Sequence, residues 1–204
     1  MLVTKIIPVT KSKFKVFIDE EFTFVLYKGE LSRYRIKEQS EITQELVDKI
    51  KKEVILKRAK LRAMHLLNDM DRTEQGLRTK LLQGGCTEEI ADQAMEYVKS
   101  FGYIDDRGYA MRFVESRKNS KSRKEIYSAL LQKGISAETA EAAMEECFEG
   151  GDEYEAIRAL LRKKKFNPET ADENEKRKIY GFLARKGFRY DDIRHVIQVY
   201  DWNA

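Results

Sequence analysis

The sequence has few of the residues that support disulfides, metal sites or membrane spans. Its two cysteines, Cys86 and Cys147, are too few for a disulfide framework. Its two histidines, His65 and His195, fall in separate predicted helices rather than together at metal-ligand spacing. The N-terminus lacks the apolar run of a signal peptide, and no later stretch is long enough to cross a bilayer. We therefore expect a cytoplasmic protein that binds neither a metal ion nor a membrane.

Motifs typical of enzymes are also missing. None of the eleven glycines belongs to a glycine-rich phosphate-binding loop, and no serine or cysteine has the flanking residues of a nucleophile elbow. Two carboxylate pairs, Asp105-Asp106 and Asp191-Asp192, are the best candidates for general acid–base chemistry. Each pair stands where a helix is predicted to begin, which favours capping of free backbone N–H groups instead. The sequence predicts neither enzymatic activity nor a cofactor.

One helical pattern occurs three times. Alignment of Gly85, Gly134 and Gly187 superposes the copies at offsets of 49 and 53 residues. Each copy is an amphipathic helix that ends at glycine, then an apolar residue, a polar cap and another helix. Such a period predicts a mainly all-α fold, an elongated and curved tandem array of three three-helix repeats. The predicted repeats cover residues 43–101, 102–150 and 151–204.

Residues 1–42 follow a different pattern. The segments 14–18 and 22–27 are rich in aromatic and β-branched residues, and an acidic break at 19–21 separates them. This arrangement predicts an antiparallel β-hairpin, to which residues 3–9 could add a third strand. A sheet this small is marginally stable alone, so we expect it to pack against the first helical block.

Polar side chains suit the predicted helix starts. Thr43 and Ser136 are expected N-caps, and Ser122 with Glu125 has the spacing of a capping box. Gly150-Gly151 is expected to separate the second and third repeats. Helices are predicted over residues 53–68, 72–83, 87–100, 106–116, 152–164, 172–186 and 191–200.

Positive charge is grouped along the chain, although the net charge is only +4. A solvated helix face is the simpler interpretation of any single cluster, but several clusters in a repeat could align into a binding stripe. The acidic span 138–155 would repel a nucleic-acid backbone, so alternating charge favours a protein partner with complementary patches. The candidate electrostatic binding residues are Arg117, Lys118, Lys121, Arg123, Lys124, Arg158, Arg162, Lys163, Lys164, Lys165, Lys176, Arg177, Arg185 and Lys186.

The tyrosines have two interpretations. Tyr97, Tyr103 and Tyr109 could stack on nucleobases or pack within the helical array. Tyr127 and Tyr180 occupy equivalent repeat positions beside apolar residues, which favours packing for both.

Taken together, several of these residues resemble the RecX family of recombinase regulators. The most specific element is Phe101-Gly-Tyr-Ile-Asp-Asp106, which lies between two repeat copies. The similarity runs from about Glu53 to Tyr200, and the N-terminal hairpin resembles the extension of longer members. The residues of the resembling motifs are Thr73, Glu74, Leu77, Arg78, Leu81, Gly102, Tyr103, Ile104, Asp105, Asp106, Gly134 and Gly187.

The resemblance implies a protein of DNA repair and homologous recombination that binds RecA, the ATP-dependent strand-exchange recombinase. Family members lie in the helical groove of the RecA filament on single-stranded DNA and restrain its ATPase, growth and strand exchange. They are not enzymes, and some also contact DNA, so single- or double-stranded DNA is a second candidate partner. We expect a monomer without cofactor. The alternative hypothesis is a nucleic-acid-binding helical repeat module that acts independently of RecA.

Overall fold

A computed structural model describes residues 1–148 and 151–199 of the chain. The chain divides into two compact units, Met1–Ile104 and Asp105–Ala204. The first unit holds the sheet and the first set of helices, and the second unit holds the remaining helices.

The N-terminal sheet has three antiparallel strands in the order β1 (Val3–Pro8), β2 (Lys13–Ile18) and β3 (Glu21–Tyr27). The predicted hairpin and its third strand are therefore confirmed. Asp19 and Glu20 connect β2 to β3 with φ of 48° and 69°. A two-residue loop with both φ values positive matches the twist of the flanking strands without the glycine that usually occupies it.

The helices of the first unit follow the sheet. Their bounds are α1 Lys28–Arg33, α2 Gln44–Ile50, a π-helical segment Lys51–Leu56, α3 Lys57–Asp69, α4 Glu74–Gln83 and α5 Glu88–Ser100. The sequence predicted separate helices before and after residue 52. Instead, α2, the π-helical segment and α3 form one uninterrupted helical run, because neither glycine nor proline falls between Gln44 and Asp69 to end it.

The sheet packs on this helical block, as expected from its small size. Buried residues of the strands, such as Val16 and Leu26, join Ile50, Leu77 and Leu81 in one apolar core. Burial of these side chains removes apolar surface from water, which is the main force that holds the sheet in place.

A cation also fastens the sheet to the helices. The Arg58 guanidinium donates to the Val25 carbonyl at 3.1 Å, pairs with the Glu30 carboxylate and lies 4.5 Å from the centre of the Tyr27 ring. One side chain of α3 therefore binds the last strand and the helix that follows it.

The second unit contains six helices among its described residues. They are α6 Asp106–Glu115, α7 Arg123–Gln132, α8 Ala137–Cys147, α9 Asp152–Lys164, α10 Glu173–Arg185 and α11 Tyr190–Val199. Apolar residues form one core among α6, α7 and α8 and another among α9, α10 and α11. The predicted break at Gly150 and the predicted helix end at Tyr200 lie outside the described residues.

The repeated glycines end helices in the same way. Gly85, Gly134 and Gly187 have φ of 92°, 83° and 93°, a left-handed conformation that costs glycine no Cβ clash. After each glycine, the next N–H bonds back to the carbonyl five residues earlier, as Ile135 does to Leu130 at 3.1 Å. This is the Schellman arrangement, and it satisfies carbonyls that the helix end leaves open. The repeat detected in the sequence is thus a repeated helix terminus.

Most predicted caps are confirmed. Thr43, Asp105 and Ser136 accept hydrogen bonds from backbone N–H groups three residues later. Asp191-Asp192 is the exception, since α11 begins at Tyr190 and the pair lies in the first helical turn. Carboxylates in a first turn still interact favourably with the helix dipole.

Candidate functional site

Three basic clusters that are distant in the sequence meet around one cleft of the second unit. The cleft lies among α7, α9 and α10 and consists of two adjoining grooves of about 680 and 600 Å³. Both grooves share Glu125, Phe182 and Lys186 in their linings. We call this surface the basic cleft, and its cationic residues are Lys121, Lys124, Lys163, Lys164, Arg185 and Lys186.

The lining of the basic cleft also includes apolar side chains. They are Ala129 of α7, Leu160 of α9 and Phe182 of α10. The Lys164 ammonium lies 4.9 Å from the centre of the Phe182 ring, close enough for a cation–π attraction. A ligand in this cleft would therefore meet both apolar surface and positive charge.

Glu125 is the one carboxylate among the residues that line the basic cleft, all of which the structure describes. Its Oε1 lies 2.5 Å from the Lys121 ammonium and 3.7 Å from that of Lys186. Its other oxygen, Oε2, is buried and has no hydrogen-bond partner among the described atoms. Six cations face a single carboxylate, so the cleft as a whole attracts negative charge.

A buried serine fixes the relation of α7 to α10 beside the cleft. The Ser122 hydroxyl donates to the Lys186 carbonyl at 2.6 Å and accepts from the Glu125 N–H at 3.1 Å. The sequence predicted the capping bond of Ser122 but not the bond to Lys186. The reciprocal bond of a capping box, from the Ser122 N–H to the Glu125 carboxylate, does not form, because the Glu125 carboxylate instead binds lysines.

Other predicted binding residues are held by contacts within the protein. The Lys118 side chain is only 18% exposed and contacts the Glu115 and Asp152 carboxylates and the Cys147 carbonyl. It joins the start of α9 to the ends of α6 and α8, which is a structural role. The Arg117 guanidinium lies 3.8 Å from the centre of the Phe113 ring.

Arg123 lines a different groove from the basic cleft. Its guanidinium lies 5.3 Å from the centre of the Phe148 ring, and it lines a groove with the acidic residues Glu141, Glu145 and Glu153. Lys124 lines both this groove and the basic cleft. Neighbouring basic residues in the sequence therefore face different electrostatic surroundings.

The remaining predicted cations lie outside the basic cleft. Arg158 and Arg162 pair with Glu155 at 2.5 and 3.9 Å, and Lys165 is the left-handed residue that ends α9. Lys176 and Arg177 line a separate groove of the second unit beside Tyr180 and Tyr190. The structure thus gathers six of the fourteen predicted cations into one site and distributes the others.

The motif residues of the first unit build a helix start and its core. Thr73 caps α4 through a 3.0 Å bond from the Gly76 N–H, and Leu77 and Leu81 are fully buried. Glu74 pairs with Lys99 of α5 at 2.9 Å. These residues hold α4 against α5.

Arg78 adds a second link between α4 and α5. Its Nε lies 2.8 Å from Asp92 Oδ1, and a further guanidinium nitrogen lies 3.6 Å from Glu88. The hydrogen bond from the guanidinium lowers the pKa of Asp92. The pKa of Arg78 is raised by the same bond, so each partner favours the charged form of the other.

The element around Gly102 and Tyr103 forms the end of α5. Gly102 is left-handed with φ of 69°, and the Tyr103 N–H bonds to the Val98 carbonyl at 3.1 Å. Tyr103 is 51% exposed. Ile104 packs on the core of the first unit.

The tyrosines in the repeats are partly packed. The Tyr127 hydroxyl donates to Glu141 at 3.2 Å, and desolvation with this hydrogen bond raises the pKa of Tyr127. The centres of the Tyr180 and Tyr190 rings lie 5.2 Å apart. Tyr97 and Tyr103, for which the sequence left stacking and packing open, lie beside Phe101 at the end of α5, with ring centres 5.0 Å apart for Tyr97 and Phe101 and 5.5 Å apart for Phe101 and Tyr103. The sequence carried no such prediction for Phe101.

The described residues hold neither a metal-ligand cluster nor a membrane-spanning helix. No group of three or more histidine, cysteine, aspartate or glutamate side chains in residues 1–148 and 151–199 could hold a metal ion. None of the helices described there has the length and apolar character that a membrane crossing needs.

Comparison with known proteins gives concordant results along the chain. Family models described as the first, second and third three-helix domains of RecX match residues 59–97, 105–144 and 151–197. A regulatory protein RecX from Caldanaerobacter subterraneus subsp. tengcongensis is 33% identical over 98% of this chain and all of the relative. A regulatory protein RecX from Trichlorobacter lovleyi is 36% identical over 68% of this chain and 92% of the relative.

Solved structures share the fold. A crystal structure of a regulatory protein RecX superposes with a TM-score of 0.63 at 21% identity and covers 96% of this chain and 98% of that one. RecX from Lactobacillus salivarius superposes with a TM-score of 0.58 at 24% identity and covers 71% of this chain and 95% of that one. The helical domains with a small N-terminal sheet are therefore an arrangement that known proteins adopt.

Proposed function

Because this chain belongs to the RecX family of regulatory proteins, we propose that it binds the RecA filament on single-stranded DNA and lowers its ATPase, growth and strand exchange. The proposal includes docking in the helical groove of the filament, in the cytoplasm, by a monomer without catalytic activity of its own. The resemblance noted from the sequence implies this partner, and the basic cleft is the observation that supports a docking site.

The chemistry of the basic cleft suits an acidic protein surface. Its lysines would attract carboxylates, while Leu160 and Phe182 would contact an apolar side chain. Charge of one sign concentrated in a cleft speeds encounter with an oppositely charged partner and rejects wrongly charged ones. Apolar lining residues give no comparable advantage with a sugar–phosphate backbone, which presents charge along its whole length.

The proposed mechanism is a shift in population. A filament ligand that binds an inactive or capped arrangement better than the active one favours the former by the difference in the two affinities. Inhibition therefore requires no chemical step by the regulator.

The experiment that tests this function measures RecA's ATP hydrolysis on single-stranded DNA while the full chain is added at substoichiometric ratios. We expect inhibition under conditions where binding of the chain to bare DNA is weak. Unchanged hydrolysis at saturating protein would contradict the proposal.

A second candidate function is nucleic-acid binding without RecA, which the six cations of the basic cleft favour. It predicts tight binding to bare DNA with an affinity that falls steeply as salt rises, since each neutralised phosphate releases a counterion. The salt dependence of bare-DNA binding and the ATPase titration together separate the two functions.

A further inference from the structure

A cavity of about 340 Å³ in the first unit is lined by residues of both the N-terminal sheet and the helices. We call this cavity the sheet pocket. Its lining comes from β2, β3, the π-helical segment, α3, and α4 with the turn that follows it. Sites for small molecules in proteins are typically clefts of roughly 300–1,000 Å³, so the sheet pocket is large enough to hold one.

Cys86 lines the sheet pocket at a position where the other two repeats carry a larger, buried side chain. The residue after the left-handed glycine is Ile135 in the second repeat and Phe188 in the third, and these are 3% and 5% exposed. In the first repeat this residue is Cys86, which is smaller and only partly buried. Protein interiors leave few voids larger than a water molecule, so a cavity at this position suits an occupant from outside the chain.

The charged residues of the lining are all cations, namely Lys13, Arg58 and Arg62. Arg58 pairs with Glu30, which leaves Lys13 and Arg62 without an ion pair among the described residues. The Lys13 ammonium and the Arg58 guanidinium lie 5.5 and 4.5 Å from the centre of the Tyr27 ring, so two of the cations gather at one side chain. Positive charge of this kind, concentrated in a cavity, attracts an anionic group.

Other parts of the lining are apolar. Ile55, Ala59 and Leu81 line the sheet pocket and also belong to the buried core of the first unit. Ile55 lies in the π-helical segment, a type of backbone that occurs often at functional sites. Burial raises the pKa of the Cys86 thiol, so the thiol stays uncharged near neutral pH and adds no negative charge to the lining.

We propose that the sheet pocket binds a small amphipathic anion, an organic molecule with an apolar body and one carboxylate or phosphate group. The apolar body would contact Ile55, Leu81 and Cys86, and the anionic group would interact with Lys13 and Arg62. This site lies within the first unit. It goes beyond the proposed regulation of RecA and does not depend on the recombinase.

The test titrates four probes into the full chain by calorimetry, without RecA. The probes are naphthoate, naphthyl phosphate, the uncharged naphthamide and inorganic phosphate. We expect both naphthalene anions to bind on the order of tenfold more tightly than naphthamide, because only they form charge-assisted contacts with the cations. Inorganic phosphate should bind weakly, since it has no apolar body. The tighter of the two anions shows whether the site prefers a carboxylate or a phosphate.

Two variants and a control sharpen the test. Cys86→Ile gives the first repeat the residue type of Ile135 and should abolish binding of both anions, because the larger side chain fills the sheet pocket. Arg62→Gln should weaken binding roughly two- to fivefold, as expected for an exposed cation. The control Lys57→Gln removes an exposed cation of the same helix that is outside the lining and should leave binding unchanged. Melting curves check that each variant is folded.

Alkylation of the cysteines reports where the probe binds. We expect saturating naphthoate to slow the modification of Cys86 by iodoacetamide, as measured by peptide mass. Cys147 is buried in the second unit and should keep its own rate in the same digest. This measurement and Arg62→Gln decide the proposal even where Cys86→Ile fails to fold.

Several results would overturn the proposal. Absence of binding of both naphthalene anions at millimolar concentration would show that the sheet pocket takes no such ligand. Equal affinities for naphthoate and naphthamide would show that the cations do not contribute. Binding that leaves Cys86 unprotected, or that survives in a folded Cys86→Ile variant, would place the ligand elsewhere. Equal losses in Arg62→Gln and Lys57→Gln would indicate an effect of overall charge.

Discussion

The Ser122 hydroxyl bonds to the Lys186 carbonyl across 64 positions of sequence, and the same oxygen caps α7. Ser122 is fully buried. One small side chain thus starts one helix and ties that start to the end of another helix, at the edge of the basic cleft.

Replacement of Ser122 should lower the free energy of unfolding by more than the loss of a helix cap alone would. Ser122→Ala removes an N-cap, worth about 1 kcal/mol, and takes away the donor that the Lys186 carbonyl has in the buried Ser122 hydroxyl, at about a further 1–3 kcal/mol. We expect a lower free energy of unfolding in urea by roughly 2–4 kcal/mol. Ser136→Ala is the matched control, because Ser136 caps α8 through Thr139 but is exposed and makes no such bridge. Equal losses in the two variants would contradict the structural role of the bridge.

Gly187 should tolerate substitution poorly for two separate reasons. Its φ of 93° is unfavourable for other residues, and a Cβ would lie 2.9 Å from Ser122 Oγ and 3.1 Å from Lys124 Cβ. Gly151 has φ of 110° with open space around the same position. We expect Gly151→Ala to cost about 1–2 kcal/mol from backbone strain alone and Gly187→Ala to cost more. Urea unfolding of both variants measures the difference, and a smaller loss at Gly187 would contradict the close packing.

The basic cleft predicts which charges matter for inhibition. Lys163→Glu/Lys164→Glu should raise the concentration needed for half-maximal inhibition of RecA's ATPase, on the order of tenfold. The control Lys176→Glu/Arg177→Glu changes net charge equally but lies in a different groove. A uniform loss in both variants would indicate that overall charge, and not the cleft, governs binding.

The ion pair between Arg78 and Asp92 predicts a pH dependence of stability. The pKa of Asp92 is lowered in the folded chain, so its contribution is complete above the unfolded value of about 3.9 and is lost as pH falls through the folded value. Asp92→Asn should therefore lower the melting temperature at pH 7 but not well below the folded pKa. Melting curves at both pH values test this, and an equal loss at each would show that charge is not involved.

Helix ends were the most predictable part of the fold. The left-handed glycines Gly85, Gly134 and Gly187 and the caps Thr43 and Ser136 each act within a few residues of their own position. The bounds of α9, Asp152–Lys164, also match the prediction, because carboxylates begin the helix and basic residues end it. Local hydrogen bonds and helix dipoles decide where helices begin and end, so these positions can be predicted from the sequence.

The candidate site was only partly predictable. The sequence identified its lysines as clusters but could not tell that Lys163 faces Lys121 and Lys186 whereas Lys118 is held by Glu115 and Asp152. Lys163 and Lys118 carry the same charge and both stand in basic clusters, so the sequence does not distinguish them. It depends on how the helices pack.

The sequence by itself determined that a small sheet is followed along the chain by short capped helices in three repeats. Helix propensity, capping and apolar periodicity are properties of neighbouring residues, so a sequence contains them. Only the tertiary structure decided which surfaces those helices share. The bond from Ser122 to Lys186 and the stacked rings of Phe101 and Tyr103 arise where packing and a helix terminus bring side chains together. Such contacts depend on three-dimensional distance, which a linear pattern does not contain.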